Sequence, residues 1–377
     1  MTNSAIKNFF STFWISLQNP QSLVFKGVLL CWHLLFVLVA WNDRVKRGIS
    51  DAHFYWAENH TIADKSWFSF FHYGSDLLVF LNYPFIKLGV PFLGGFLLYG
   101  ILGYFAILKF VEWISLLFGT RFQVGSFNIL LLFFFWTSLH YWSAVLGKEP
   151  LIFWSLAVLF LGITKQQFRN FSFWIAVLVL FAIRPHVGLL LLVAGTTAYL
   201  ITGKESLFSK AKKAFLLIPI GLLLFYMVLQ LSKIRYFNWD RILRFNRGSL
   251  VSFDDSGSYV PMETYTVFYR VVSFFFRPFL WEAYDFKTLL VGVDNLIYLL
   301  FHAVAIGLLI CNFSKLKALQ LPMWFYTAVI FTLLCGFIFI FRYANLGIFM
   351  RTKIMYAPFM AVALLWIMRE IKNVNKS

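Results

Sequence analysis

The sequence predicts an all-α fold: a polytopic transmembrane helix bundle of about ten membrane segments with two long extracytoplasmic loops. Three observations lead there. Of 377 residues, 60% are hydrophobic and only 13% charged, against about 25% charged in a soluble domain. Apolar segments follow one another from Val24 to Met368. The ionisable residues collect at the junctions between them, where a charge at membrane depth is costly and faces a cavity, a partner or a substrate.

The apolar segments fall at 24–41, 93–117, 126–146, 150–164, 171–183, 187–202, 214–232, 288–310, 322–341 and 354–369. A spanning helix needs about 20 apolar residues, so 150–164, 171–183 and 187–202 are short. Such segments tilt, end beside a wet cavity or pair as a re-entrant hairpin. Stretches 76–90 and 265–280 are apolar but broken by polar groups, and read as partly embedded elements. The whole of 1–377 reads as a single integral-membrane domain. Trp41, Trp67, Trp142, Trp281 and Trp324 lie near segment ends, as interfacial anchors do. Residues 1–20 are mixed and aromatic; they suit an interfacial helix rather than a cleavable leader.

Alternating crossings put both long connections, 42–92 and 233–287, on one side. The other side receives short basic links: Lys165 to Arg169, Lys204 to Lys213, Lys315 to Lys317, and the tail from Arg369 to Lys376. Short basic loops mark the cytoplasm, which predicts a bacterial inner-membrane protein with both termini cytoplasmic. The raw count of Lys plus Arg does not favour this orientation, because many cations lie in the long outer loops. The inverted arrangement is the alternative.

A net charge of +17 invites a nucleic-acid reading. The cations are scattered through short loops rather than spread over one soluble face, so orientation, anionic lipid and an anionic substrate account for them better. Cys31, Cys311 and Cys335 lie in or beside apolar segments without metal-ligand spacing, and read as small core residues.

The junction residues that could carry chemistry all fall on the outer side. Asp43, Asp51 and Glu58 are carboxylates of the first outer loop, of the type that takes a proton from a sugar hydroxyl. Asp51 is favoured because Phe54 and Tyr55 follow it and an aromatic face stacks on a sugar ring. The plain alternative is a solvated carboxylate paired with Arg44 or Arg47. Lys148-Glu149-Pro150 interrupts an apolar run. Pro150 suits a first helical turn and Glu149 the positive end of that helix, which leaves Lys148 as an anion ligand.

Arg184-Pro185-His186 and Arg277-Pro278 each place an Arg at the end of an apolar helix. Arg there satisfies terminal carbonyls, or its planar fork binds a phosphate or diphosphate. His186 is a second donor or an interfacial ring. Glu282 follows Arg277 closely enough to share a cavity with it. Arg241, Arg244 and Arg247 with Asp254, Asp255 and Glu263 read as a solvated mixed-charge loop. Arg351 and Lys353 enter the last segment two residues apart, to contact separate phosphate oxygens or to snorkel to head groups. The sequence contains no Gly-rich phosphate loop, HExxH, paired CxxC or EF-hand loop, and no visible internal repeat of the transporter kind. Asn59-His-Thr61 matches a glycosylation sequon.

Several of these pieces occur together in one family. The acidic residue after the first segment, Gly74-Ser-Asp through Pro84, Phe135-Trp-Thr-Ser with Gly147-Lys-Glu149, Ile183-Arg-Pro-His186, Arg277-Pro-Phe-Leu-Trp-Glu282 and Asn345-Leu-Gly with Arg351 cover most of the chain in order. The chain thereby resembles bacterial multi-pass glycosyltransferase-like proteins of surface-polysaccharide clusters, which overlap GT-C glycosyltransferases and Wzy-type polysaccharide polymerases. The resemblance implies a polyprenyl-phosphate- or diphosphate-linked sugar donor, a glycan acceptor, polysaccharide export machinery as a partner and Asp51 as base. It implies Arg184, Arg277, Lys148, Arg351 and His186 at the donor phosphates, with Glu149, Glu282, Lys353 and Tyr55 beside them. The Asp-x-Asp of many GT-C enzymes and their large soluble C-terminal domain are missing; this leaves a divalent metal open but not indicated, so no cofactor is assigned, and it favours a polymerase-like role. Transport of an anionic lipid-linked substrate, or a non-catalytic place in an assembly complex, are the alternatives.

Overall fold

The computed structural model describes residues 11–56, 62, 65–232, 234, 238–316 and 319–374. Glu58, the Asn59–Thr61 sequon, Lys317 and Lys376 lie outside the described residues. Among the described residues, the regular structure is helical apart from one hairpin, Gln123–Val124 paired with Phe127–Asn128. Among the described residues, five helices are long and apolar enough to cross a membrane, or six if one bent pair forms a single span. The chain divides into two compact units, Met1–Gly162 and Ile163–Ser377.

In the first unit, α1 (Leu23–Arg47) begins at Ser22, whose hydroxyl accepts from the Phe25 amide. It ends at Gly48, where φ of 67° admits the turn. The stretch after it folds into α2 (Asp51–Trp56), a short 3-10 turn and α3 (Asp76–Lys87). Tyr99 and Asn82 fasten this region from inside: the Tyr99 hydroxyl donates to Asn82 Oδ1 at 2.9 Å, and Asn82 Nδ2 donates to the Tyr55 carbonyl at 2.9 Å. α4 (Phe92–Phe118) is the second long apolar helix.

Where the sequence suggests one continuous segment over 126–146, the chain makes the hairpin and then two short helices, α5 (Leu130–Phe134) and α6 (Thr137–Ala144). They are separated at Phe135–Trp136. Hydropathy records burial and not helical continuity, and both short helices are buried. α6 packs on α1 and α4 through a close approach at Gly103, where a Cβ would overlap the Ser143 carbonyl. α7 (Lys148–Lys165) follows, with Pro150 in its first turn. Phe153 meets Phe110 and Phe160 meets Trp113, at 5.5 and 5.3 Å.

In the second unit, α8 (Phe171–Ile183) and α9 (Pro185–Thr202) meet at Arg184. The bent pair α10 (Leu207–Phe215) and α11 (Ile218–Leu231) comes next. α12 (Trp239–Val251) and α13 (Val267–Phe276) occupy the stretch expected as the second long loop. α14 (Phe286–Cys311), α15 (Met323–Phe339) and α16 (Leu346–Val374) complete the chain. α16 is the most buried of the candidate spans. The loop before α13 is strapped to the start of α16: Val260 N–H donates to the Ala344 carbonyl at 2.9 Å and Leu346 N–H to the Ser258 carbonyl at 2.8 Å.

Candidate functional site

The second unit gathers its sequence-predicted residues through aromatic contacts. Arg184 caps α8, its amide donating to the Leu180 carbonyl at 2.9 Å, and Pro185 opens α9. The His186 ring meets Phe339, at the end of α15, edge-on at 6.2 Å. Phe339 lies 6.0 Å from Phe274 of α13, which contacts Phe349 and Tyr356 of α16 at 5.4 and 5.7 Å. The start of α9 and the end of α15 therefore lie together. The Arg184–His186 corner, the end of α13 and the entrance of α16 share one aromatic cluster.

At the end of α13 the chain turns through Arg277, a cis peptide bond and Pro278. The Arg277 guanidinium is held by Glu282: Nε donates to both carboxylate oxygens at 2.8 and 3.1 Å, and the second terminal nitrogen also pairs with Oε1. The other terminal nitrogen reaches the Tyr265 hydroxyl at 3.3 Å. Glu282 Oε2 also accepts from the Phe279 amide at 2.8 Å. A fork on a carboxylate is the strong geometry for this pair, and here it closes a five-residue turn.

Lys353, 8% exposed, is the second clamp. Its Nζ donates to the Arg277 carbonyl at 2.8 Å and to Asn295 Oδ1 at 2.6 Å. Asn295 Nδ2 in turn donates to the Pro278 carbonyl at 2.9 Å. Asp294 and Glu282 act electrostatically on the Lys353 ammonium. Two cations and two carboxylates thus meet at this node, which locks α13, α14 and α16 together. Arg351, two residues nearer the entrance of α16, is partly buried, as are Arg184 and His186.

Asn345 shapes the same entrance. Its Oδ1 accepts from the Ile348 amide at 3.1 Å, and its Nδ2 donates to Ser256 Oγ at 2.8 Å. Nearby, the Tyr259 hydroxyl donates to the Glu263 carboxylate, and that bond raises the phenol above its ordinary value. Arg342 lies over the Phe245 ring at 4.9 Å. The mixed-charge loop expected to be solvated is therefore partly tied down, although Arg244, Arg247, Asp254, Asp255 and Glu263 are exposed.

In the first unit, Asp51 opens α2 and is exposed. Ser50 Oγ lies 2.8 Å from His53 Nδ1 across the first turn of that helix. Asp43 accepts from the Tyr141 hydroxyl at 2.5 Å, so a structural contact engages this second loop carboxylate. Tyr55 is buried at 3%, whereas its neighbour Phe54 is 43% exposed and offers the aromatic face. Lys148 Nζ donates to Ser75 Oγ at 2.8 Å, linking the start of α7 to the start of α3. Glu149 is fully buried. Its carboxylate and Tyr55 both adjoin Gly147, where a Cβ would come within 2.9 Å of Glu149 Oε2 and 3.8 Å of the Tyr55 ring.

Two residues that the junction argument passes over are the most deeply buried ionisable rings of the first unit. His33 and His140 are both fully buried, with Nδ1 atoms 3.2 Å apart. Each lies inside an apolar segment, and an ionisable residue within a span is itself the signal that points to it. Among the described residues, no three His, Cys, Asp or Glu side chains gather as a metal site. Comparison with protein-family models, curated proteins and solved structures finds no match to this chain.

Proposed function

We propose that this chain is a bacterial inner-membrane transferase that joins sugars from a polyprenyl-phosphate or diphosphate donor at the extracytoplasmic face, in the manner of a polysaccharide polymerase. The observation that supports this reading is the convergence described above at one end of the second unit. Ring contacts run from His186 through Phe339 and Phe274 to Phe349, near Arg351 on α16, and the Arg277, Glu282, Lys353 and Asn295 node closes the end of α13, the helix that carries Phe274.

In this reading Arg184 and Arg351 bind donor phosphate oxygens directly, and His186 adds a donor. Lys148 supplies a further cation. Arg277 and Lys353 brace the turn and the helix start from which Arg351 projects. Asp51 takes the proton from an acceptor hydroxyl. The hydroxyl oxygen bonds to the anomeric carbon, and the bond from that carbon to the lipid phosphate breaks. Fixed cations stabilise the charge left on the phosphate, usually the largest contribution to such a step. Ten membrane segments, outer long loops and cytoplasmic termini belong to the same proposal.

The rival reading is transport of an anionic lipid-linked substrate. One observation favours it: the buried His33–His140 pair, since ionisable groups inside spans mark proton and substrate paths. The experiment that separates the two expresses wild type, Asp51→Asn and Arg184→Ala at matched membrane levels in a cell making the associated glycan. Lipid-linked and surface glycans are then resolved by length. Single repeat units accumulating as long chains vanish support the polymerase. Loss of one sugar from every unit supports a single-sugar transferase. Normal glycan from both variants overturns the site.

A further inference from the structure

Three contacts at hydrogen-bonding distance run through two imidazole rings in the first unit. His33 Nε2 lies 2.9 Å from the Gly100 carbonyl of α4. His140 Nε2 lies 2.8 Å from the Phe134 carbonyl at the end of α5. The two Nδ1 atoms face one another at 3.2 Å.

Each contact needs one proton. A carbonyl only accepts, so both Nε2 atoms must carry hydrogen. The Nδ1 pair then needs a hydrogen on one side, since two bare lone pairs at that separation repel. Two neutral imidazoles supply two N–H groups between them. Moving a proton from Nε2 to Nδ1 within either ring satisfies the central contact only by setting a lone pair against a carbonyl. All three contacts are satisfied at once only with three protons, which is one positive charge on the pair.

We propose that His33 and His140 form a proton-binding site that takes up a single proton per chain, shared between the two Nδ1 atoms. The position makes this consequential. His33 lies about 15 Å along a helix roughly 37 Å long, inside a candidate span, and Gly100 lies within the span of α4. Trp32 and Phe36 flank the His140 ring at 6.5 and 6.1 Å, and Tyr104 flanks His33 at 6.3 Å.

The groups around the pair from each packed element are few. On α4 the titratable neighbour is Tyr104, whose hydroxyl is turned to the Lys26 carbonyl at 2.9 Å. On α6 the adjacent Tyr141 is committed to Asp43, and Ser143 donates to the Leu139 carbonyl at 2.6 Å. Among the described residues no carboxylate, Lys or Arg bonds to either ring. Burial in an apolar span opposes the charge, while the three contacts favour it. That opposition makes the proton exchangeable. When the proton leaves, one of the contacts joining α1, α4 and α6 turns repulsive, so occupancy is coupled to the packing of these helices.

The test uses the full chain with 15N-labelled histidine in lipid vesicles. Solid-state 15N–15N recoupling selects the two rings by their short Nδ1–Nδ1 separation, and their nitrogens are scored as protonated or bare across a pH series. The expected result is three protonated nitrogens of four, falling to two by loss of one proton per chain as pH rises. Two protonated nitrogens at every pH at which the chain stays folded, or no Nδ1–Nδ1 correlation, overturns the proposal. Because the readout is on the wild-type chain, it does not depend on whether His33→Gln or His140→Gln folds.

Discussion

Lys353 Nζ lies 2.6 Å from Asn295 Oδ1 and 2.8 Å from the Arg277 carbonyl, so one ammonium joins three helices where the chain turns at Pro278. Replacing it with the uncharged Lys353→Met leaves both acceptors buried without a donor. An unsatisfied buried group costs about 1–3 kcal/mol. Lys353→Met is expected to lower the melting temperature of the purified protein by a corresponding amount. An unchanged melt would mean these bonds do not brace the node.

The Arg277–Glu282 pair is largely shielded, with side chains 13% and 18% exposed. Removing one partner leaves the other poorly solvated. Residual solvent screening holds the coupling below that of a fully buried pair, at about 1–3 kcal/mol. A double-mutant cycle with Arg277→Met and Glu282→Gln measures it directly. Additive single effects would show that the turn does not depend on the pair.

Gly103 and Gly307 make a matched test of packing. A Cβ at Gly103 overlaps the Ser143 carbonyl, whereas at Gly307 it meets nothing within 4 Å. Gly103→Ala is expected to destabilise by about 1–3 kcal/mol through overpacking. Gly307→Ala is expected to be neutral or stabilising by up to about 1 kcal/mol, since alanine favours a helix interior over glycine. Equal effects in thermal unfolding would contradict the close approach of α4 and α6.

Asp43 and Asp51 should separate by readout. Tyr141 donates to Asp43 at 2.5 Å, and a hydrogen bond to a charged group contributes about 1.5–3 kcal/mol. Tyr141→Phe and Asp43→Asn should therefore lower stability, while Asp51→Asn on the exposed end of α2 leaves the melt near wild type and abolishes glycan elongation. Loss of stability in Asp51→Asn without loss of product would assign Asp51 a structural role.

Much of this molecule is read from local sequence. The segment at 171–183 is the helix Phe171–Ile183, because an apolar run bounded by Asn170, whose side chain caps it, and by Arg184-Pro185 can end nowhere else. Arg277 likewise ends its helix before a proline. The 76–90 and 265–280 stretches contain the α3 and α13 helices, since their polar interruptions still fall on a helical repeat. The 126–146 run went differently, because composition is blind to where an aromatic-rich stretch must bend to pack.

By itself, the sequence determined the membrane class, the helical content and the corners at Arg184 and Arg277. Each depends on hydropathy, proline and caps within a few residues. Only the tertiary structure decided what the polar side chains touch. The Asp43–Tyr141, Lys353–Asn295 and His33–His140 contacts join residues 98, 58 and 107 positions apart. Helix packing brings such partners together, and at those separations no local pattern can pair them.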